Sequence, residues 1–265
     1  MPSGIPWPGQ AKLIAEAINA PTRTTKVARN TNTMARKTNR RLRTRLFGAV
    51  LLLALAGGAW LWWNWHHWQP LRAAYPMQGL EVSAEDGEID WTAAKATGAD
   101  FAYLDASASA FARDPAFVKN MEDARAAKLQ VGAVHRYDPC QPADKQAANF
   151  VTVVPREKVL LPPAVELDRL ADDCPIKVSD AMVLSELTTF LNQIETHTGK
   201  PALLKLSRGF EARYHVARGI DRNLWLLGDR FQPDYAGRPW TLWTANSALS
   251  NAAAAKSVQW VVVQP

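Results

Sequence analysis

The chain has 265 residues, 48% of them hydrophobic, which is enough for one mid-sized domain or two small ones with a real core. Its formal net charge of +6 is concentrated at one end, because residues 1–45 carry ten Lys and Arg but a single acid. The rest of the chain has 21 basic and 24 acidic side chains. Residues 46–265 are therefore slightly acidic and would not neutralise the phosphates of a nucleic acid, which excludes nucleic acid as a partner.

Residues 1–45 are predicted to form a basic cytoplasmic tail. Within it, Met34 begins the run MARKTNRRLRTRLF, which looks like the complete start of a membrane-targeted protein. We therefore interpret residues 1–33 as an upstream extension without fixed structure. The intact mass of the native protein would test whether that extension is translated.

A long apolar stretch follows the tail. Leu46–Trp63 reads LFGAVLLLALAGGAWLWW without a charge, and eighteen helical residues span about 27 Å, close to the hydrocarbon thickness of a bilayer. We predict a single transmembrane helix over 46–64 in the inner membrane. The arginine-rich flank before it places the N-terminus in the cytoplasm and the C-terminal domain in the periplasm. Five tryptophans crowd its outer end, where indole rings favour the headgroup layer: Trp60, Trp62, Trp63, Trp65 and Trp68.

Two alternatives to the anchor remain at this point. Ala54-Leu55-Ala56 could be the small-residue site of a cleaved signal peptide, although cleavage there leaves a tryptophan-rich stub on a soluble protein. A buried globular helix is the other alternative, and it would put the arginine block beside a core. After a linker at 65–77, we expect one domain over 78–265.

Strand-like and helix-like runs alternate along this domain. The predicted strands are 79–83, 100–107, 129–137, 158–168, 201–207, 224–229, 239–245 and 257–264, and the predicted helices are 89–98, 114–128, 141–154 and 180–199. Such alternation is typical of parallel α/β architecture, and eight strands suggest closure. Because the later connections are too short for full helices, we predict an irregular parallel β/α barrel, similar to a TIM barrel.

Seven segments of the domain match motifs of one enzyme family in the same order. GLEVSAEDGEIDW resembles G-[IL]-D-V-S-x-x-Q-G-x-I-D-W, GADFAYLDAS resembles G-x-x-F-x-Y-I-K-A-[ST], and NMEDARAAKLQVGAVHRYDP contains a match to A-G-L-x-V-G-A-Y-H-F. LPPAVELD is similar to L-P-P-V-L-D-L-E, while HTGKPALL, LWLLGD and WTLWTA are similar to T-G-x-x-P-[IL]-[IL], L-W-x-A-x-Y and W-x-[IL]-W-Q-Y. Over about residues 78–264 the chain therefore resembles glycoside hydrolase family 25, the muramidases that cut between N-acetylmuramic acid and N-acetylglucosamine.

The resemblance implies catalytic carboxylates at altered positions. The catalytic pair of the family is D-x-E, whereas this chain has Glu166 and Asp168, and the aspartate of the first strand is replaced by Glu81. Three further departures are Asp105 for the lysine of the second strand, Thr244 for the glutamine of W-Q-Y, and Gln259 for an aspartate of the closing strand.

Glu166 and Asp168 are two residues apart on a strand, so both are expected to project into the barrel near the strand's C-terminal end. Glycoside hydrolysis needs one protonated carboxyl and one negative group, and crowded carboxylates raise one another's pKa. The resemblance puts Asp168 in the general-acid position and Glu166 in the stabilising or base position. The reverse assignment stays open, as does a plain strand end with two solvent-facing acids. Glu81 is expected to add negative charge.

Four residues are predicted to contact substrate: Asp105, His135, Tyr137 and Trp243. His135 occupies the family's histidine after the third strand, where it either touches sugar or is a satisfied core histidine. Tyr137 and Trp243 have rings that could stack on sugars.

The two cysteines follow neighbouring strands. Cys140 comes after the third strand and Cys174 after the fourth, on loops that adjoin each other at the rim of a parallel barrel. An oxidising periplasm favours a disulfide between them. Since neither a CxxC motif nor clustered histidines accompany them, we expect no metal, and no other cofactor.

These features predict a membrane-anchored lysozyme-like glycoside hydrolase that cleaves the glycan strands of peptidoglycan. The alternative is a catalytically inactive family member that binds peptidoglycan or an envelope partner. The altered carboxylates, the lost lysine and the lost glutamine favour that alternative.

Overall fold

The computed structural model describes residues 32–265, so the predictions for the upstream extension lie almost entirely outside the described residues. Helix α1 runs over Asn32–His66. Its stretch Leu42–His66 is long and apolar enough to cross a membrane, a property that anchors and signal sequences share. The predicted span 46–64 falls within it. Trp60–Pro265 forms a compact unit of its own.

Nine strands form one sheet in that unit. They are β1 Gln78–Val82, β2 Phe101–Ala108, β3 Ala112–Arg113, β4 Gln130–Arg136, β5 Ala164–Leu167, β6 Leu203–Leu206, β7 Asn223–Leu227, β8 Leu242–Leu249 and β9 Val258–Val263. The sheet order is β1-β9-β8-β7-β6-β5-β4-β2-β3, and an additional β1–β2 pairing closes eight strands into a barrel, with β3 outside it on the edge of β2. The predicted barrel is therefore confirmed.

The barrel is not wholly parallel, which corrects one detail of the prediction. Strand β9 runs antiparallel to both of its neighbours, β8 and β1. Only residues 250–257 separate β8 from β9. A parallel return needs a crossover of about a dozen residues or more, so this short connection forces a reversal of direction.

Six helices follow α1: α2 Trp91–Ala96, α3 Phe117–Ala126, α4 Ala143–Val153, α5 Asp180–Thr198, α6 Arg208–Tyr214 and α7 Val216–Gly219. The longest, α5, begins where the Ser179 side chain accepts a hydrogen bond from the Met182 amide, and it ends at Gly199 in the left-handed conformation. Its bounds agree with the prediction to one residue. Its apolar face is buried against the barrel shell.

Side chains alternate along the strands between the barrel interior and the shell beneath the helices. The interior is filled by Phe101, Tyr103, Val134, Ala164, Leu203, Trp225, Leu242 and Val261. Gly132 makes room for one of these rings, because a Cβ there would lie 2.3 Å from the Tyr103 ring. The apolar filling ends before the C-terminal ends of the strands, and this leaves the last inward-facing positions to polar side chains.

Candidate active site

Five charged side chains occupy those last inward positions, and we call them the charged layer. They are Glu81 of β1, Asp105 of β2, Arg136 of β4, Glu166 of β5 and Lys205 of β6. Each follows an inward-facing neighbour by two residues, as Asp105 follows Tyr103. Three acids and two bases therefore meet at the C-terminal mouth of the barrel, where barrel enzymes carry their chemistry.

Lys205 lies at the centre of the charged layer and is 1% exposed. Its Nζ donates a hydrogen bond to Glu81 Oε1 at 2.6 Å and lies 3.4 Å from Glu166 Oε1. Those two carboxylate oxygens are thus no more than about 6 Å apart. Below it, the Trp225 ring centroid is 5.2 Å from Nζ, so the ammonium is held from several sides.

Arg136 forms the second bridge of the layer. One of its terminal nitrogens lies 2.5 Å from Asp105 Oδ2, and its Nε lies 3.5 Å from Glu166 Oε2. Strand register brings them together, because Arg136 pairs directly with Glu166 across β4 and β5. Glu166 therefore faces a cation at each of its two oxygens.

Burial shapes the proton affinity of this layer. It raises the pKa of Glu81 above its usual 4.5, against the opposing charge of Lys205. It also raises the pKa of Asp105 to about 8, with Glu81 adding to the shift. The pKa of Lys205, which burial alone would lower, is raised by the carboxylates of Glu81 and Glu166. One oxygen each of Glu81 and Asp105 is buried without a hydrogen-bond partner among the described residues.

Asp168 follows the end of β5 and is exposed. Its side chain makes no hydrogen bond or ion pair within residues 32–265, whereas Glu166 is held by both cations. Both carboxylates line one cavity of about 300 Å³, together with Arg136, Tyr137 and Arg169. The structure thus brings the two predicted catalytic residues to the wall of a single cavity.

That cavity belongs to a series of three across the mouth, which we call the mouth groove. On one side, a cavity of about 360 Å³ shares Glu166 and is lined by Lys205, Thr244 and Gln259. On the other, a cavity of about 210 Å³ shares Arg136 and is lined by Asp105. The cavity that holds Glu166 and Asp168 thus lies in the middle of the series.

Tyr137 also borders the groove. Its ring packs against Phe190, and its hydroxyl is buried without a hydrogen-bond partner in the described part of the chain. Tyr137 lines the cavity that holds Asp168 but is only 3% exposed, so its contact with substrate stays a prediction.

His135 and Trp243 are buried, which agrees with the core alternative for His135 and speaks against sugar contact by either residue. His135 has no exposed surface, lies within hydrogen-bond distance of Ser107 and Gln146, and has a pKa lowered by burial to about 4. Trp243 donates its indole N–H to the Gly228 carbonyl and packs edge-on against Tyr75. Both residues point away from the barrel interior, into the shell beneath the helices.

The rim of the groove is cross-linked. A disulfide joins Cys140 and Cys174, which lie 34 residues apart on the loops after β4 and β5. Beside it, the amide of Cys140 donates to Asp138 Oδ1, and Arg169 pairs with Asp138 Oδ2 at 2.8 Å. These contacts fix the wall of the cavity that holds Asp168.

Sequence reasoning missed Arg136 and Lys205. A signal for Lys205 was present, because it is the one charge inside the apolar strand PALLKLS, and lysines are rarely buried without a partner. Arg136 stands at the phenylalanine of the A-Y-H-F motif. Among the described residues, none of the His, Cys, Asp and Glu side chains form a group of three or more that could hold a metal ion.

An eight-stranded α/β barrel with two carboxylates at its C-terminal mouth is an arrangement that barrel glycosidases use. The family model for glycosyl hydrolases family 25 matches residues 80–251, and the chain belongs to that family. It is 25% identical over 180 residues to the uncharacterized protein YegX of Escherichia coli K12, covering 64% of this chain and 63% of that protein. The chain thus spans slightly less than two thirds of that relative.

Solved structures show the same fold. A family 25 glycosyl hydrolase from Bacillus anthracis is 25% identical with a TM-score of 0.68, over 76% of this chain and 93% of that one. A bacterial lysozyme from Streptomyces coelicolor is 19% identical with a TM-score of 0.63, over 71% and 92%. A family GH25 lysozyme from Aspergillus fumigatus is 18% identical with a TM-score of 0.61, over 71% and 94%.

Proposed function

We propose that this protein is a muramidase that hydrolyses the N-acetylmuramic acid–N-acetylglucosamine linkage of peptidoglycan, and that α1 tethers it to the inner membrane. The observation that carries the proposal is the shared cavity of Glu166 and Asp168 at the mouth of a family 25 barrel. Solved relatives of the same fold are lysozymes and muramidases by name.

The two carboxylates have environments suited to different roles. Asp168 lines the cavity without a hydrogen bond or ion pair in residues 32–265, so its carboxyl is free to approach the glycosidic oxygen and give it a proton as the C1–O bond breaks. Glu166 is held by Arg136 and Lys205, so its position is fixed for supporting the positive charge that develops at C1. Water then adds to C1, and the proton it releases restores the acid.

Two observations support a periplasmic location for the barrel. The helix stretch Leu42–His66 has the length and apolarity of a membrane span, and basic residues precede it. The disulfide between Cys140 and Cys174 suits an oxidising compartment. A protein inserted this way has its N-terminus in the cytoplasm and meets peptidoglycan with the mouth groove.

A second candidate function is peptidoglycan binding without cleavage. The observation that favours it is the contact of Glu166 with two cations, which offsets the negative charge that hydrolysis needs. The groove would then hold a glycan strand without cutting it.

Full-length protein in detergent, incubated with purified sacculi, separates the two functions. A muramidase releases fragments whose new reducing end is N-acetylmuramic acid, and mass spectrometry after borohydride reduction identifies them. We expect Asp168→Asn and Glu166→Gln each to lower release by about a hundredfold or more. The control Asp173→Asn, an exposed rim acid outside the groove, leaves release unchanged.

The wild-type result decides between the candidates. Retention on sacculi without released fragments would support the binding function and contradict the muramidase. Neither retention nor release would contradict both.

A further inference from the structure

We propose that Lys205 is a positioning residue for the reaction: bridging Glu81 and Glu166, it fixes the Glu166 carboxylate at the mouth groove and stabilises its negative charge. This inference rests on the proposed muramidase function. It assigns Glu81 an indirect role as well, because Glu81 acts by holding Lys205.

The depth of the two side chains leaves very little of their surface open to a glycan, although Lys205 borders one cavity of the groove. Lys205 and Glu81 are 1% and 3% exposed, while the side chain of Glu166 keeps 20% of its surface open. Of the three, Glu166 is therefore the most accessible to a sugar. Lys205 and Glu81 lie deeper in the barrel than Glu166.

The ammonium has a fixed position and a fixed charge. Its bond to Glu81 at 2.6 Å is short and charge-assisted, and the Trp225 ring packs beneath it. The surrounding carboxylates keep the pKa of Lys205 above its usual 10.5 despite burial. Lys205 thus stays cationic throughout the pH range in which the enzyme works.

The two cations beside Glu166 lie at nearly equal distances, 3.4 Å for Lys205 and 3.5 Å for Arg136, but the Lys205 side chain is only 1% exposed, so its charge is the less screened of the two. Arg136 lies 3.5 Å from Glu166, and it is bound more closely to Asp105, at 2.5 Å. The Arg136 side chain is also 45% exposed, so solvent screens its charge. Without Lys205, the cation that remains beside Glu166 would be Arg136, which is exposed and already bound to Asp105. A shift of its carboxylate by about 1 Å is enough to cost about a hundredfold in rate.

The test measures kcat and KM separately on soluble glycan strands with the full-length protein. We expect Lys205→Met to lower kcat by about a hundredfold with little change in KM. Lys205→Arg restores part of the rate, and the surface control Lys145→Met changes neither constant.

A double variant separates positioning from folding. Lys205→Met alone leaves Glu81 buried and unpaired, which can destabilise the barrel. Glu81→Gln combined with Lys205→Met removes both buried charges, so we expect melting near that of the wild type with kcat still low. Recovery of kcat in the folded double variant would show a purely structural role and overturn the inference.

Carbon NMR of the glutamate side-chain carboxyls provides a readout that does not need activity. With Glu166 assigned by its Gln variant, we expect its carboxyl resonance to differ between Glu81→Gln and the double variant, because these two proteins differ only in the Lys205 ammonium beside Glu166. An unchanged resonance overturns the role of Lys205, even in a protein that binds sacculi without cutting them. An inactive wild type with a changed resonance contradicts the muramidase alone.

Discussion

The raised pKa of Asp105 makes the stability of the barrel depend on pH in a definite direction. Asp105 keeps its proton up to pH about 8 in the folded protein and loses it near 3.8 when unfolded. Between those values the folded state holds one more proton than the unfolded state, so stability falls as pH rises. In Asp105→Asn this dependence is absent. The free energy of unfolding of the variant, relative to wild type, should therefore rise by ~1.4 kcal/mol per pH unit, or about 3 kcal/mol between pH 5 and 7.

Urea denaturation of the full-length protein in detergent, followed by tryptophan fluorescence at pH 5, 6 and 7, measures this difference. The loss of the Arg136 partner lowers the stability of the variant by an offset, but the slope with pH isolates Asp105. His135→Gln provides a comparison of opposite sign. Its folded pKa of about 4 lies below the usual 6.5, so His135 adds stability as pH rises through that window. Parallel curves for wild type and Asp105→Asn would refute a protonated Asp105.

Two further predictions concern the frame around the site. Replacing both Cys140 and Cys174 by serine should lower the free energy of unfolding by about 3–4 kcal/mol, because the bridge closes a loop of 34 residues; a urea midpoint equal to that of the oxidised wild type would contradict this. Gly132→Ala should cost about 1–3 kcal/mol, since the new Cβ would meet the Tyr103 ring at 2.3 Å. The control Gly219→Ala, with nothing within 4 Å of its Cβ, should melt at or above the wild-type temperature.

The barrel was predictable because its strands are short apolar runs separated by turn residues and helices. The direction of β9 was not predicted, although the short connection over 250–257 carried the information. That segment has no helix-like pattern, and a connection of its length joins antiparallel strands. Where the apolar periodicity of a strand does not determine its direction, the length of the connection before the strand does.

The sequence could not show that His135 and Trp243 are buried, and one physical cause explains both cases. Strands of a barrel covered by helices are buried on both faces, so hydrophobicity does not reveal which residues point inward. In the structure Val134 faces the interior, which turns His135 outward, and Leu242 does the same to Trp243. The same alternation puts Glu166 two residues beyond the inward-facing Ala164. Once one inward residue of a strand is known, the others follow.

The departures from the family motifs are easier to understand as pairs than one by one. Asp105 stands where the motif has lysine and Arg136 where it has phenylalanine, and a terminal nitrogen of Arg136 lies 2.5 Å from Asp105 Oδ2. Glu81 stands where the motif has aspartate and is bound by Lys205. Compared with the family motifs, β2 therefore lacks a positive charge, while β4 carries Arg136 and β6 carries Lys205.

Such a set of charges is costly to keep in a barrel interior. Either Glu81 or Lys205 without its partner would be a buried unpaired charge, which destabilises a protein by about 3–5 kcal/mol. Replacing a buried ion pair by apolar residues of similar volume is often neutral or stabilising. A barrel that had lost contact with glycans would therefore gain stability by filling its mouth with apolar side chains, as its interior already is. Three acids and two bases in the charged layer, with Glu166 still open to the groove, are best explained by a site that still acts on a ligand.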